Sequence, residues 1–204
     1  MSGNSPKPAA VGFRVHSGWT ALIALALEKG KPLIIARARV HLVETFTYGF
    51  RQPYHTAERL PPEKAAAFIS RMKTEARRLS VSAIRKLQSD LREQGFKLTR
   101  CSLLLASGRP LPALPQILAS HSLIHTADGE HFREALLHAS TRCSLKSITI
   151  KERDLLASAS EVLRLKPSDL TRRIIDLGRP LGPPWSQDEK FAALAAWLAL
   201  AQHA

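Results

Sequence analysis

The sequence predicts an α/β protein of three layers, in which helices flank a mixed five-stranded sheet. Three strand-like segments follow one another near the N-terminus, separated only by short turns. A long amphipathic helical segment comes next, and strand-like and helical segments alternate after it. Strands joined by tight turns run antiparallel, whereas strands joined through helices run parallel. We therefore expect an antiparallel three-strand meander plus two parallel strands.

The first three predicted strands form the meander. Residues 11–16 alternate apolar and polar side chains, whereas residues 19–27 are apolar on both faces, which is typical of a strand inside a sheet. After a turn, residues 33–44 return as a third strand with a basic face. On that face we predict a phosphate-binding patch made by Arg37 and Arg39. The other face is expected to pack into the core through Ile34, Ala36, Ala38, Val40 and Leu42.

Residues 46–60 combine aromatic rings with arginine and histidine side chains. We interpret this segment as a connection that packs over the core. The alternative is a surface that stacks nucleic-acid bases, because aromatic rings beside arginine serve that purpose in many binding proteins.

A long helix is predicted over residues 63–94. Its outer face carries arginines that recur every seven residues, and such a line drifts by only about 20° per heptad around a helix. We predict that this line binds nucleic acid; the alternative is a solvated charged face. The line consists of Arg71, Arg78, Arg85 and Arg92. The buried stripe is expected at Phe68, Met72, Ala76, Leu79, Ala83, Leu87 and Leu91.

The second half of the chain alternates between strands and helices. Ser186 opens the last helix with a glutamate three residues later, which predicts a capping box. Residues 159–178 resemble a bacterial helix-turn-helix, with Arg172 and Arg173 on the second helix. The alternative is an ordinary pair of short packed helices, which gives a similar pattern. The predicted strands are residues 97–106 and 145–150, and the predicted helices are residues 118–141, 152–164 and 168–177.

Length and composition indicate a single domain over residues 11–204, preceded by a disordered tail of residues 1–10. The formal net charge is +13, and residues 1–110 hold 19 Lys and Arg against 7 Asp and Glu. A one-sided basic surface favours nucleic acid as the partner, DNA or RNA, with an acidic protein as the alternative. No apolar run reaches the roughly 20 residues that span a membrane. Two cysteines favour the cytoplasm, and the oligomeric state stays open, a dimer included.

The order of elements resembles the ribonuclease H-like superfamily, in particular the bacterial Holliday-junction resolvase branch. Three places carry the resemblance. Residues 11–19 (Val-Gly-Phe-Arg-Val-His-Ser-Gly-Trp) are similar to that branch's first strand and glycine turn. The helix with Asp128-Gly129 and the strand 145–150 are similar to its second helix and fifth strand. Residues 185–195, beginning Trp-Ser-Gln-Asp-Glu, are similar to its closing helix.

The resemblance implies a cluster of carboxylates that holds two divalent metals for nucleic-acid cleavage. This chain departs from that pattern. Arg14, Val15 or His16 occupies the first-strand acidic position, and the end of the fourth strand offers Ser107 and Arg109. Only Asp188 matches an acidic position of the family's pattern, that of the closing helix. Asp188 is therefore the candidate catalytic carboxylate. We expect an anion site at Arg14, His16 and Arg109, and loss of two-metal nuclease activity.

The histidine-rich predicted helix 118–141 carries a second candidate site. His121 and His125 lie one helical turn apart, a spacing that zinc enzymes use, and Asp128 is a candidate third ligand or a partner that orients His125. We expect hydrogen-bonded structural histidines and no cofactor. The alternative is a zinc- or magnesium-dependent hydrolase or nuclease that uses these residues together with Asp188.

Overall fold

The computed structural model describes residues 5–106 and 110–202, and in these a five-stranded sheet is covered by helices on both faces. The strand order is β3-β2-β1-β4-β5, antiparallel within the first three and parallel from β1 to β4 to β5. This architecture confirms the predicted fold class. The strands are β1 (Lys7–His16), β2 (Trp19–Glu28), β3 (Lys31–His41), β4 (Phe96–Leu105) and β5 (Lys146–Lys151).

The helices lie in two layers, one on each face of the sheet. Helices α3 and α5 pack on one face, and α8, with α6 and α7 outside it, packs on the other. No helix among the described residues has the length and apolarity needed to cross a membrane. The helices are α1 (Tyr48–Arg51), α2 (Pro53–Ala57), α3 (Pro62–Glu93), α4 (Leu114–Leu118), α5 (His121–Arg142), α6 (Leu155–Leu163), α7 (Pro167–Gly178) and α8 (Gln187–Ala201).

Three predicted boundaries are wrong. The third strand ends at His41 and not at residue 44, and the other two errors lie at the start of the chain and in the histidine-rich helix. Strand β1 begins at Lys7 and not after residue 10, so residues 7–10, expected in a disordered tail, belong to the sheet. Ala9 and Ala10 are fully buried because they pair with β2 on one side and with β4 on the other. The predicted helix 118–141 is divided at Ala119 and Ser120, so α5 begins at His121.

The buried face of α3 is displaced by one residue from the predicted stripe at three positions. Ile69, Ser80 and Ile84 are buried where Phe68, Leu79 and Ala83 were expected. Successive residues of a helix are rotated by 100° about its axis. In the sequence pattern, an apolar residue next to a buried position is therefore easily taken for the buried one. The other predicted members are buried as expected; they are Met72, Ala76, Leu87 and Leu91.

A β-bulge at Ile35 changes the predicted faces of β3. Ala24 pairs with Ala36, whereas Leu25 pairs with Ile34, so Ile35 is the extra residue. Ile34 therefore packs toward α8, while Ile35 and Ala36 pack toward α3 and α5. The prediction that Ile34 shares a face with Ala36 is wrong, because an extra residue in a strand inverts the alternation of faces.

Candidate functional site

Three charged side chains meet where β1, β4 and β5 end. The carboxyl ends of parallel strands lie at the same edge of a sheet, and α8 begins there as well. Arg14 lies near the end of β1, Glu152 directly follows β5, and Asp188 is in the first turn of α8. The sequence thus brings one cation and two carboxylates to one place from three distant segments.

The close approach of α8 to β1 positions these side chains. A Cβ atom at Gly12 would lie only 1.9 Å from the carbonyl oxygen of Ala192, so the helix rests directly on the strand backbone. Asp188 is one helical turn before Ala192, and Arg14 is two residues after Gly12 on the same face of β1. The capping box between Ser186 and Glu189, predicted from the sequence, holds the start of α8.

Arg14 binds both carboxylates with its guanidinium. Its Nε donates to Glu152 Oε2 at 3.0 Å, and its Nη2 donates to Glu152 Oε1 at 2.8 Å. Its Nη1 donates to Asp188 Oδ1, which also lies 3.0 Å from His16 Nε2. The side chains of Arg14 and Asp188 are 21% and 22% exposed, so the network is partly screened from water.

The charges in this network stabilise one another. The bond with Glu152 raises the pKa of the Arg14 guanidinium, burial opposes this, and Asp188 adds to the rise. Burial alone would raise the pKa of the Asp188 carboxyl, but His16 and Arg14 together outweigh that effect and lower the pKa. Arg14 and Asp188 therefore form an ion pair at neutral pH.

This arrangement does not fit two divalent metals. A metal would need the carboxylate oxygens that Arg14 already binds, and the guanidinium charge would repel it. Other nearby carboxylates are also paired, since Glu189 binds Arg37 and Glu130 binds Arg133. Glu152 was not among the sequence-based candidates. The sequence pattern nevertheless indicated Glu152, because an acidic residue directly after a parallel strand lies at the edge of the sheet where functional sites form.

Exposed and half-buried basic and aromatic side chains continue from Arg14 along the same edge. Residues paired across antiparallel strands point to the same face of the sheet. Arg14 pairs with Ala21, which pairs with Arg39, so the two arginines share a face. His16 pairs with Trp19 and shares that face with it. His16 stacks on Trp19 with ring centroids 4.4 Å apart, and the Arg39 guanidinium lies 3.8 Å from the Trp19 ring centre. We call this the edge surface, and it consists of His16, Trp19, Arg39, His41, Phe46 and Arg51.

The segment 46–60 contributes to both the core and this surface. Tyr54 and Ala57 are buried, in agreement with a connection that packs over the core. Phe46 is 39% exposed, lies against His41, and has the Arg51 guanidinium 4.8 Å from its ring centre. The interpretation as a packed connection therefore holds for Tyr54 and Ala57, whereas base stacking stays a prediction, for which Phe46 is the exposed candidate.

The remaining predicted basic residues lie in different settings. Arg37 is half-buried and donates to Glu189 and to the carbonyl oxygens of Gly182 and Pro184, so its guanidinium is committed within the protein. Arg109 lies outside the described residues, and Val15 is buried on the opposite face of β1. The arginines of the α3 line are all exposed, with Arg78 paired to Glu44; they are Arg71, Arg78, Arg85 and Arg92.

The helix pair at residues 159–178 packs through its apolar faces. Leu170 and Ile174 of α7 are buried in the core that surrounds α8. Arg164 turns the chain between α6 and α7 with a φ of 53°, a left-handed conformation that usually selects glycine. Arg172 and Arg173 are exposed on α7.

A third histidine joins the predicted pair on α5. His55 of α2 lies with His121 and His125, and one ligand nitrogen of each lies within 4.8 Å of the others. Asp128 binds the Nδ1 of His55 at 2.5 Å, which differs from the predicted role of orienting His125. No local pattern in the sequence indicates a role for His55, because its contact with Asp128 joins segments 73 residues apart.

These features define a class of fold. The three-layer arrangement with strand order 3-2-1-4-5 is the ribonuclease H-like fold, and the resemblance to Holliday-junction resolvases is confirmed at the level of structure. The structure of T. thermophilus RuvC in complex with Holliday junction substrate is similar to this chain with a TM-score of 0.51 at 7% identity, over 93% of this chain and 90% of that one. Such low identity shows the fold alone.

Two further solved structures are similar at lower scores. Thermus thermophilus RuvC has a TM-score of 0.49 at 10% identity, over 93% of this chain and 92% of that one. The yeast mitochondrial Holliday junction resolvase Ydc2 has a TM-score of 0.46 at 13% identity, over 99% of this chain and 83% of that one. No protein-family model matches the sequence, and no curated protein matches it.

Proposed function

We propose that this protein binds nucleic acid, branched DNA first among the candidates, through the edge surface and without two-metal cleavage. The observation that carries the proposal is the Arg14 network, in which a protein cation binds Asp188 and Glu152 at the edge of the sheet. The structurally similar T. thermophilus RuvC is described in complex with a Holliday junction. A junction is therefore the first ligand to test.

The chemistry of the edge surface supports binding. Arg39 is exposed beside Trp19, and Arg51 lies beside the exposed Phe46. Cations neutralise phosphates, and aromatic rings stack on unpaired bases, which a branch point or a single strand presents. Most of the chain's excess positive charge lies in residues 1–110, which include all of these side chains.

The Arg14 network supports the absence of two-metal cleavage. Two-metal cleavage needs carboxylates that are free to hold divalent cations against the attacking and leaving oxygens. Asp188 and Glu152 are engaged by Arg14, which supplies a fixed positive charge in their place. We expect the network to act as a rigid support for the edge surface.

Binding is tested by fluorescence anisotropy with a labelled four-way junction, a duplex, a single strand and an RNA duplex across a salt series. Loss of one phosphate contact should reduce the log–log salt slope by about 0.9 on duplex DNA. We expect that reduction for Arg39→Gln and for Arg51→Gln. Arg173→Gln, which removes an exposed charge from α7, is the matched control and should leave the slope unchanged. Absence of binding to all four ligands at low salt, or equal slopes in all variants, would overturn the proposal.

Cleavage is tested on the same substrates with magnesium and with manganese. We expect intact substrates after incubation with the purified protein. Cleavage that disappears in Asp188→Asn would contradict the proposed loss of two-metal activity, while leaving the binding proposal to stand on its own data.

A further inference from the structure

The three-histidine cluster lies beyond the edge of the sheet, on the side of α3 and α5. Arg133 of α5 donates to the carbonyl oxygen of Leu104 near the end of β4 at 3.0 Å. Ser140, further along the helix, contacts Cys101 earlier in the strand, so α5 runs antiparallel to β4. His121 therefore lies about 18 Å before Arg133 along the helix axis, past the end of the strand. The short helix α2 packs there and supplies His55.

A buried carboxylate orients the ring of His55. Asp128 is 3% exposed, and its Oδ1 accepts the backbone N–H of Tyr54 at 2.8 Å, while its Oδ2 binds His55 Nδ1 at 2.5 Å. A carboxylate at Nδ1 holds the proton on that nitrogen and leaves Nε2 as a free electron-pair donor. This is the arrangement in which proteins prepare histidine as a metal ligand.

The other two rings present matching nitrogens. His121 and His125 are one turn apart on α5, and their Nε2 atoms are 3.1 Å from each other. Four-coordinate zinc with Zn–N bonds of about 2.0 to 2.1 Å places its ligand nitrogens about 3.3 Å apart. Both rings are exposed, so small rotations suffice to close the cluster from its present limit of 4.8 Å.

We propose that His55, His121 and His125 bind one Zn²⁺ ion, with Asp128 orienting His55 and with a water molecule in the fourth position. Imidazole nitrogen suits zinc, whereas magnesium requires oxygen ligands, so the donor set selects between the two metals. The expectation of no cofactor was based on the pair His121 and His125 alone. The structure adds His55 as a third ligand and Asp128 as the carboxylate that orients it, and these two residues favour a metal site.

The metal would add a third link between two segments that the Asp128 hydrogen bonds and an apolar cluster already connect. His55 is the ligand from α2, and the adjacent α1 carries Arg51 of the edge surface. Zinc at the cluster would hold α2 against the start of α5 and thereby order this part of the edge surface. The zinc proposal is independent of nucleic-acid binding, because its ligands are not members of that surface.

The first test is the metal content of protein purified without chelator and without a histidine tag. We expect about one zinc per chain by elemental analysis. His125→Ala and His121→Ala change exposed side chains and should each reduce zinc to a small fraction of that value. His138→Ala is the matched control, since this histidine lies on the same helix outside the cluster. Zinc-free wild-type protein that also fails to take up added zinc would overturn the proposal.

The second test measures affinity against a chromophoric zinc chelator. Asp128→Asn keeps the volume of the side chain and weakens its hold on His55, so we expect zinc affinity to fall by about 10- to 100-fold. Cobalt(II) added to the zinc-free protein should give the intense visible absorption of a four-coordinate site. Binding that survives in His125→Ala with unchanged affinity would place the metal elsewhere and refute the assignment.

Discussion

The backbone of Gly12 on β1 lies against the carbonyl oxygen of Ala192 on α8, without room for a side chain between them. This contact sets the height of α8 above the sheet. It therefore sets the distance between Arg14, two residues further along β1, and Asp188, one turn earlier on α8. The ion-pair network at the edge depends on a packing contact made by two residues that carry no charge.

Gly12→Ala should destabilise the protein and loosen the network. The added methyl group must displace α8, and overpacking of a close-packed core costs about 1 to 3 kcal/mol. Gly49→Ala is the matched control, because a Cβ at that position meets Thr56 Oγ1 at an ordinary 3.5 Å. Urea denaturation measures both variants. Equal stability of Gly12→Ala and wild type would show that α8 does not rest on β1 as described.

Arg14→Asp should create a divalent-metal site. The substitution removes the cation and places a third carboxylate beside Asp188 and Glu152, and such clusters bind magnesium and manganese. We expect manganese to raise the melting temperature of the variant and to leave wild type unchanged. Arg39→Asp makes the same charge change on the same face of the sheet, away from the carboxylates, and should show no manganese effect. A manganese effect on wild type equal to that on Arg14→Asp would refute the metal-excluding role of Arg14.

The fold was predictable because its signals are local. Turns at residues 17–18 and 28–31, the alternation of apolar residues and the capping box at Ser186 each involve neighbours in the chain. Arg14 and Asp188 were both named as candidates, since the resemblance assigned them positions. Their pairing with each other depends on the contact of Gly12 with α8, which no local pattern encodes.

Contacts between distant segments account for what the sequence did not show. Glu152 reaches Arg14 only after β5 is placed beside β4, and His55 reaches Asp128 only after α2 packs on α5. A bulged residue such as Ile35 likewise depends on the register of a neighbouring strand. Periodicity identifies the elements, whereas the chemistry at their ends arises from their packing.

His131 should make stability depend on pH between about 4 and 6.5. Burial is the main cause that lowers the pKa of this imidazole to about 4, and Lys73 and Arg77 lower it further against an opposing effect of Glu134. The unfolded chain binds a proton near pH 6.5 that the folded protein excludes. The stabilisation is therefore complete above pH 6.5 and is lost as pH falls toward 4, on the order of 2 to 3 kcal/mol.

The comparison variant is His131→Phe, which fills the buried space beside Tyr54 without a titrating group. Urea denaturation at several pH values gives the free energy of unfolding of both proteins. We expect the variant to lose less stability than wild type between pH 6.5 and pH 4, whatever its absolute stability. Parallel pH profiles would exclude His131 as the source of the dependence.

The outer face of α3 should add phosphate contacts that do not depend on base sequence. Arg71, Arg78, Arg85 and Arg92 are exposed along 21 residues of helix, about 32 Å at 1.5 Å per residue, which is long enough to follow one arm of a junction. Changing all four to Gln should flatten the log–log salt slope by up to about 3.6 on duplex DNA, and by less if the bond of Arg78 with Glu44 persists in the complex.

The matched control changes four exposed cations in and around α7 to Gln: Lys166, Arg172, Arg173 and Arg179. It removes the same charge from the opposite helical layer, and we expect it to leave the slope within about one unit of wild type. Equal flattening by both quadruple variants would mean that overall charge drives binding, and flattening by the control alone would place the nucleic acid on α7.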